Sequence, residues 1–182
     1  MIKIYTPLNK KSVQRLKAGD EVLLSGIIYT ARDQAHKRLV RDKGIGKGRG
    51  RDKGLPFNIE NAVIYYCGPT KTPPGKIIGS CGPTTSRRMD EFTPQLLKLG
   101  LKGMIGKGDR SPGVCAAIKK YKAVHFLTFA GCAAFLNKYI KKARVIAYKD
   151  LGPGAIYELE VKDLPLFVGI DCRGRSIYKT KK

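Results

Sequence analysis

GMIGKGDRSPGVCAAIKKYKAVHFLTF, residues 103–129, sets out a strand pattern, a glycine-flanked lysine, a helix start and a second strand pattern in succession. GMIG is a short apolar run, and AVHFLTF is rich in β-branched and aromatic residues, as strands are. Between them, Ser111 as cap and Pro112 at the first helical position open a helix over SPGVCAAIKKYK. Strand, helix and strand in so short a span form the repeating unit of an α/β fold.

Outward from this unit the same alternation continues. Strand patterns are read at KIYTPL near the start, EVLLSGIIYT (21–30), AVIYYC (62–67), GKIIGSC (75–81), RVIAY (144–148) and LFVGID (166–171). Helical patterns are read at SVQRLKAG with Ser12 as cap, DQAHKRLVRDKG from Asp33, TPQLLKLG with Thr93 capping Pro94, and GCAAFLNKYIKKA. There is no internal repeat of solenoid length, and 182 residues with 42% hydrophobic content suit one domain over 1–182.

Composition narrows the function classes. No apolar run reaches 18 residues, and MIKIYTPLNKKSVQRL lacks a basic region followed by an apolar stretch, so the expectation is a soluble cytoplasmic protein without a membrane segment. Cys67, Cys81, Cys115, Cys132 and Cys172 are widely spaced and include no CxxC pair, which reads as mostly reduced core thiols and no metal site made by this chain alone. A formal charge of +22, from 36 Lys+Arg against 14 Asp+Glu, calls for anionic ligands or an acidic partner, and RNA is one such class. Six basic residues and five glycines fall in RDKGIGKGRGRDKG (41–54), read as a basic loop, and the tail CRGRSIYKTKK is basic too. The loop lacks the GK[ST] ending of a phosphate loop and any interleaved aromatic side chain, so nucleotide and RNA binding rest on charge alone.

Three places carry candidate chemistry. Arg32 and Asp33 end one strand and open a helix, where open α/β sheets gather ligand contacts, although Asp33 also reads as a plain cap. CGPTTSRRMD (81–90) places Thr84, Thr85 and Ser86 behind a Gly-Pro turn at the expected start of a helix SRRMDEF. That is either an ordinary cap or an anion site at a helix N-terminus, with Arg88 one turn after Thr84 and able to offer two parallel donors to a carboxylate. Lys107, at the end of GMIG, is a second cation at a strand-to-helix turn, and the pair of turns points to a shared carboxylate pocket. His125 lies in a strand pattern and reads as a hydrogen-bonded core residue; His36 sits one turn into the helix that opens at Asp33.

Four segments together resemble the β subunit, or C-terminal domain, of the class I iron-sulfur fumarate hydratases and the closely similar L(+)-tartrate dehydratase β subunit. They are TARDQAHKRL (30–39), GPTTSRRMDEFTPQLLKLGLKGMIGKG (82–108), AVHFLTFAGCAAFLNKYIKKA (123–143) and AYKDLGPGAIYELEVKDLPLFVGIDCRG (147–174). The resemblance implies a swivelling β/β/α domain of the class I fumarase C-terminal type. It also implies a hydro-lyase that interconverts fumarate and L-malate, or acts as a tartrate dehydratase, with RNA binding the remaining alternative from another class. The cofactor implied is a four-iron four-sulfur cluster held by a separate α subunit, in a heterotetramer of two α and two β subunits, without which this chain is expected to be inactive.

By the same resemblance Thr84 looks like the general base, Arg88 and Lys107 look like its catalytic companions, and Arg32, Thr85 and Ser86 look like contacts to a C4 dicarboxylate. Two departures stand out. Arg87 occupies a position where many fumarases have glycine, and the 41–54 insertion is longer and more basic than the family pattern leads one to expect.

Overall fold

In the computed structural model, which describes residues 1–42 and 54–178, β2 (Glu21–Thr30) lies in a single seven-stranded sheet. The other strands are β1 (Ile2–Tyr5), β3 (Val63–Tyr65), β4 (Gly103–Gly106), β5 (Val124–Leu127), β6 (Ile140–Ala147) and β7 (Ile156–Ile170). Strands β2, β3, β4 and β5 run parallel in that order. The 15-residue β7 is antiparallel to both β5 and β2, so the pairing closes on itself through β2–β3–β4–β5–β7. β1 shares an edge of β2 with β3, and β6 covers the first half of β7.

The sheet bends where the chain supplies freedom for it. The β2–β7 register shifts between Leu24 and Gly26, and Gly26 has φ +113 and so little room that a β carbon there would lie 2.4 Å from Thr6 Oγ1. Such a shift increases local twist and lets a sheet curl toward closure.

Residue alternation gives the central strands two apolar faces. Val63, Tyr65 and Cys67 join Leu24, Ile28, Ile105, Phe126 and Leu166 in one core, on one face of the sheet. Ile64, Tyr66, Met104 and Ile170 point the other way, against Leu39, Leu96, Leu97, Val114 and Ile118 of the helices. Two buried faces explain why β3, β4 and β5 read as continuous apolar runs and not as alternating ones. The helices are α1 (Lys10–Arg15), α2 (Asp33–Asp42), α3 (Thr93–Lys98), α4 (Pro112–Tyr121) and α5 (Ala133–Leu136).

Mixed α/β architecture with a strand-rich core is as expected, and so is the start of α4, where Ser111 Oγ accepts from the Val114 N–H. Several local expectations are corrected. α1 is capped by Asn9, whose Oδ1 accepts from the Ser12 N–H at 2.8 Å, so Ser12 lies inside the helix. Thr93 does not cap α3, because the chain is already turning before it; its hydroxyl donates back to the Met89 carbonyl at 2.8 Å.

GKIIGSC (75–81) forms no strand. Its backbone is held by other groups: Ser80 N–H donates to Thr70 Oγ1, and the Asn137 side chain donates to the Gly79 carbonyl and accepts from Cys81 N–H. GCAAFLNKYIKKA is not one helix either. Helix α5 stops at Leu136, Asn137–Tyr139 makes a single 3-10 turn, and the rest is strand β6, which finds a ladder on β7. The basic loop read at 41–54, apart from its ends, and the last four residues of the tail lie outside the described residues.

Candidate active site

The carboxyl ends of β2, β3 and β4 open on the same side of the sheet because the three strands are parallel. Beyond β2 come Arg32 and Asp33, beyond β3 come Cys67 and Gly68, and beyond β4 comes Lys107. The Thr84–Ser86 stretch then folds back over these ends. Thr84 N–H donates to the Tyr66 carbonyl at 2.6 Å, Lys107 N–H donates to the Thr84 carbonyl at 3.2 Å, and Ser86 N–H donates to the Lys107 carbonyl at 2.9 Å. Thr85 and Lys107 thereby form an isolated parallel bridge that extends the sheet by one rung. Two turns read separately in the sequence are thus laid side by side.

A buried pair anchors this rung. Ser86 Oγ lies 3.0 Å from His125 Nε2, and both residues are fully buried. Gly106 makes the contact possible, since a β carbon there would lie 2.2 Å from Ser86 Oγ. Burial, helped by the Arg110 charge, pushes the His125 imidazole well below the usual histidine range, so it is neutral at neutral pH. His125 is therefore the hydrogen-bonded core residue that its strand pattern implied, while Ser86 faces inward to it. His36, also fully buried, is pushed down to about 4, chiefly by burial; its Nδ1 lies 3.0 Å from the Arg32 carbonyl and donates to it, fixing the tautomer.

The expected helix SRRMDEF shrinks to a 3-10 turn at 86–89, and Thr85 makes no side-chain cap bond to it. One short turn carries too few aligned peptides to supply a macrodipole, so the anion affinity of this place has to come from side chains. Arg88 is not free to offer both donors to an outside ligand. Its Nε and Nη2 donate to Asp33 Oδ1 and Oδ2 at 2.9 and 2.8 Å. Arg32 lies on the other side of the same carboxylate, Nε to Oδ2 at 4.0 Å, with its side chain laid over Gly68. Arg32, Arg88 and Lys107 against Asp33 give these four side chains a formal net charge of +2. Thr84 and Lys107 are half-buried, and Thr85 and Arg87 are exposed.

Sequence reading passed over Arg110. Its side chain is wholly buried and donates to Asp90 Oδ1 at 2.7 Å, Tyr66 Oη at 3.1 Å and Thr93 Oγ1 at 2.6 Å. Asp90 also accepts from Ser111 N–H at 2.6 Å, so this pair ties the turn after the threonines to the start of α4. Twenty residues separate the partners, and no local pattern announces such a contact.

The sequence of this chain matches the family model described as Fumarase C-terminus over residues 1–181. The chain belongs to the Fumarase C-terminus family. Within it, a protein of Methanocaldococcus jannaschii, provisionally named L(+)-tartrate dehydratase subunit beta, is 36% identical over 96% of this chain and 90% of that protein. The L(+)-tartrate dehydratase subunit beta of Escherichia coli is 30% identical over 98% of the chain and 87% of its own length. The aerobic class I fumarate hydratase of Salmonella typhimurium is 39% identical over 86% of the chain, but the match spans only 26% of that longer enzyme. Fumarase C-terminus domains thus occur both as separate subunits and as parts of larger chains.

Among the described residues no group of three or more His, Cys, Asp or Glu side chains is placed to hold a metal. Four of the five cysteines, Cys67, Cys81, Cys115 and Cys172, are buried free thiols, and only Cys132 is exposed. The donors among the described residues do not fit an iron-sulfur cluster. No described helix is long and apolar enough to cross a membrane.

Proposed function

We propose that this chain is the β subunit of a hydro-lyase that interconverts fumarate and L-malate by reversible hydration, working with a separate cluster-bearing α subunit. The supporting observation is the convergence of Arg32, Thr84, Arg88 and Lys107 at one sheet edge, within a family match that spans the chain. The domain is the swivelling β/β/α type, docked so that the partner closes the site. The four-iron four-sulfur cluster stays with the partner, which supplies Lewis-acid chemistry toward the departing hydroxyl. Two α and two β subunits make up a cytoplasmic enzyme of the tricarboxylic acid cycle, and β alone is inactive.

On this chain, Thr84 is the base, taking the proton from the substrate carbon next to a carboxylate. A free threonine hydroxyl is far too weak for that. Exclusion of water by itself disfavours the ionised form, so a cation has to stabilise it, and Lys107, whose backbone N–H donates to the Thr84 carbonyl, is the candidate cation. Arg32 and the unpaired edge of Arg88 hold a substrate carboxylate, Thr85 adds an exposed hydroxyl, and Ser86 acts from beneath through its bond to His125.

A second reading, an L(+)-tartrate dehydratase β subunit, is favoured by coverage: the chain spans about nine tenths of those subunits and about a quarter of the fumarases. The exposed Arg87 adds a donor beside the site that glycine would lack. Combining the chain with its cluster-bearing partner and offering fumarate, L-malate and L(+)-tartrate separates the two readings. With the preferred diacid, Thr84→Ala is expected to lower kcat by about a hundredfold to ten-thousandfold, the usual worth of a positioned base. Undiminished turnover by that variant overturns the base assignment.

A further inference from the structure

We infer that Asp33 is a positioning residue: its carboxylate clamps one edge of the Arg88 guanidinium and leaves the other edge to a substrate carboxylate. This deepens the hydro-lyase reading and rests on it. A guanidinium has five N–H donors arranged along two usable edges. At Arg88 the Nε/Nη2 edge is filled by Asp33 at 2.9 and 2.8 Å, and Nη1 has no partner among the described residues. Arg88 is 50% exposed and springs from a one-turn 3-10 segment, so without the clamp its long side chain spreads over many rotamers.

Asp33 is itself well placed to hold it. It is the first residue of α2, whose start is fixed by Ala31 N–H donating to the Tyr65 carbonyl and His36 N–H to the Arg32 carbonyl. The same carboxylate lies 4.0 Å from Arg32 Nε, beyond hydrogen-bond reach, so its two directed contacts both go to Arg88. Arg32 is confined from below, because Gly68 leaves no more than its own volume: a β carbon there would lie 2.8 Å from Arg32 Cδ and Nη1. An incoming dianion that displaced Asp33 from Arg88 would take both of its hydrogen bonds and leave its carboxylate, with Arg32 at 4.0 Å, beside two more negative charges. Like charges at that distance repel, so the clamp stays closed and the substrate takes the outer edge.

Two measurements test this on the full chain. In the complex with the cluster-bearing partner, Asp33→Asn keeps the shape and removes the charge; KM for the diacid is expected to rise about threefold to fivefold, the size of a partly exposed charged pair, with kcat changing less. Asp33→Asn combined with Arg88→Lys is expected to be no worse than Arg88→Lys alone, since Asp33 acts through that arginine. An unchanged or lowered KM, or losses that multiply in the double variant, overturns the inference.

The second measurement is the side-chain Nε–H resonance of Arg88 in the chain by itself. It is expected to be protected from exchange in the native chain and exposed in Asp33→Asn, and equal exchange in both overturns the clamp without reference to turnover. Absence of turnover by the native complex on every diacid, with the clamp signal intact, defeats the hydro-lyase reading and leaves the clamp standing.

Discussion

Arg110 and Arg88 both pair with an aspartate through Nε, yet they live in opposite surroundings. The Arg110 side chain is fully buried and spends its donors on Asp90, Tyr66 and Thr93. Arg88 is half exposed, and among the described residues its side chain pairs with Asp33 alone. In the interior a charge is tolerated only when its partners are complete, so every donor that finds a partner matters to stability. At the rim water can replace a lost partner, so the same pair contributes little to folding and its geometry is available for binding. A scaffold arginine and a candidate site arginine thus differ in burial and not in the type of bond.

Arg110→Ala leaves the largely buried Asp90 without its cation and with only the Ser111 N–H bond, and a loss of about 3–5 kcal/mol is expected in urea denaturation of the chain, the cost of halving a buried ion pair. A loss below about 1 kcal/mol would place Arg110 in the same class as Arg88.

The buried histidines sharpen the same contrast through pH. His36 and His125 are both neutral in the folded chain, with pKa values below the ordinary 6.5. Below about pH 6.5 the unfolded chain binds protons that the folded chain refuses, so stability falls as pH falls. For His36 the loss continues down to about 4, and each histidine contributes a slope of up to about 1.4 kcal/mol per pH unit. Denaturation at pH 7 and pH 5 checks it: replacing His36 by Gln is expected to flatten the slope, and an identical slope in the variant removes His36 as its source.

Arg88 is expected to give the smallest effect on folding. Arg88→Ala should change stability by no more than about 1 kcal/mol, while diacid turnover by the complex drops sharply. A large loss of stability would make Arg88 a scaffold residue and erase the distinction drawn from its exposure.

Legibility in the sequence followed the range of the interactions involved. EVLLSGIIYT and GMIG coincide with β2 and β4, and the Ser111–Pro112 start of α4 is in place, because apolar runs and caps are decided by neighbours a few residues apart. β7 was recognised only at its end, LFVGID. Asp163 at φ 52 and Pro165 interrupt the earlier part, and its ladder comes from β2 and β6 far away in the chain. The strand half of GCAAFLNKYIKKA was hidden for the same reason: lysines on an exposed edge strand look like the polar face of a helix until β7 is there to pair with.

At the site, residue types and order mark Arg32, Thr84, Arg88 and Lys107 as candidates for an anion site with plain helix caps as the alternative, and the family resemblance chooses between the two. Hydroxyls and cations at strand ends are a local signal. Only the tertiary structure decided what those residues touch. Parallel strands brought Thr85 beside Lys107, Ser86 went inward to His125, the expected capped helix became a single turn, and the arginine meant for a ligand was found already holding Asp33. Such contacts join residues from 22 to 55 positions apart, and no local preference reaches that far. Chain closure and burial choose among the partners that local chemistry allows.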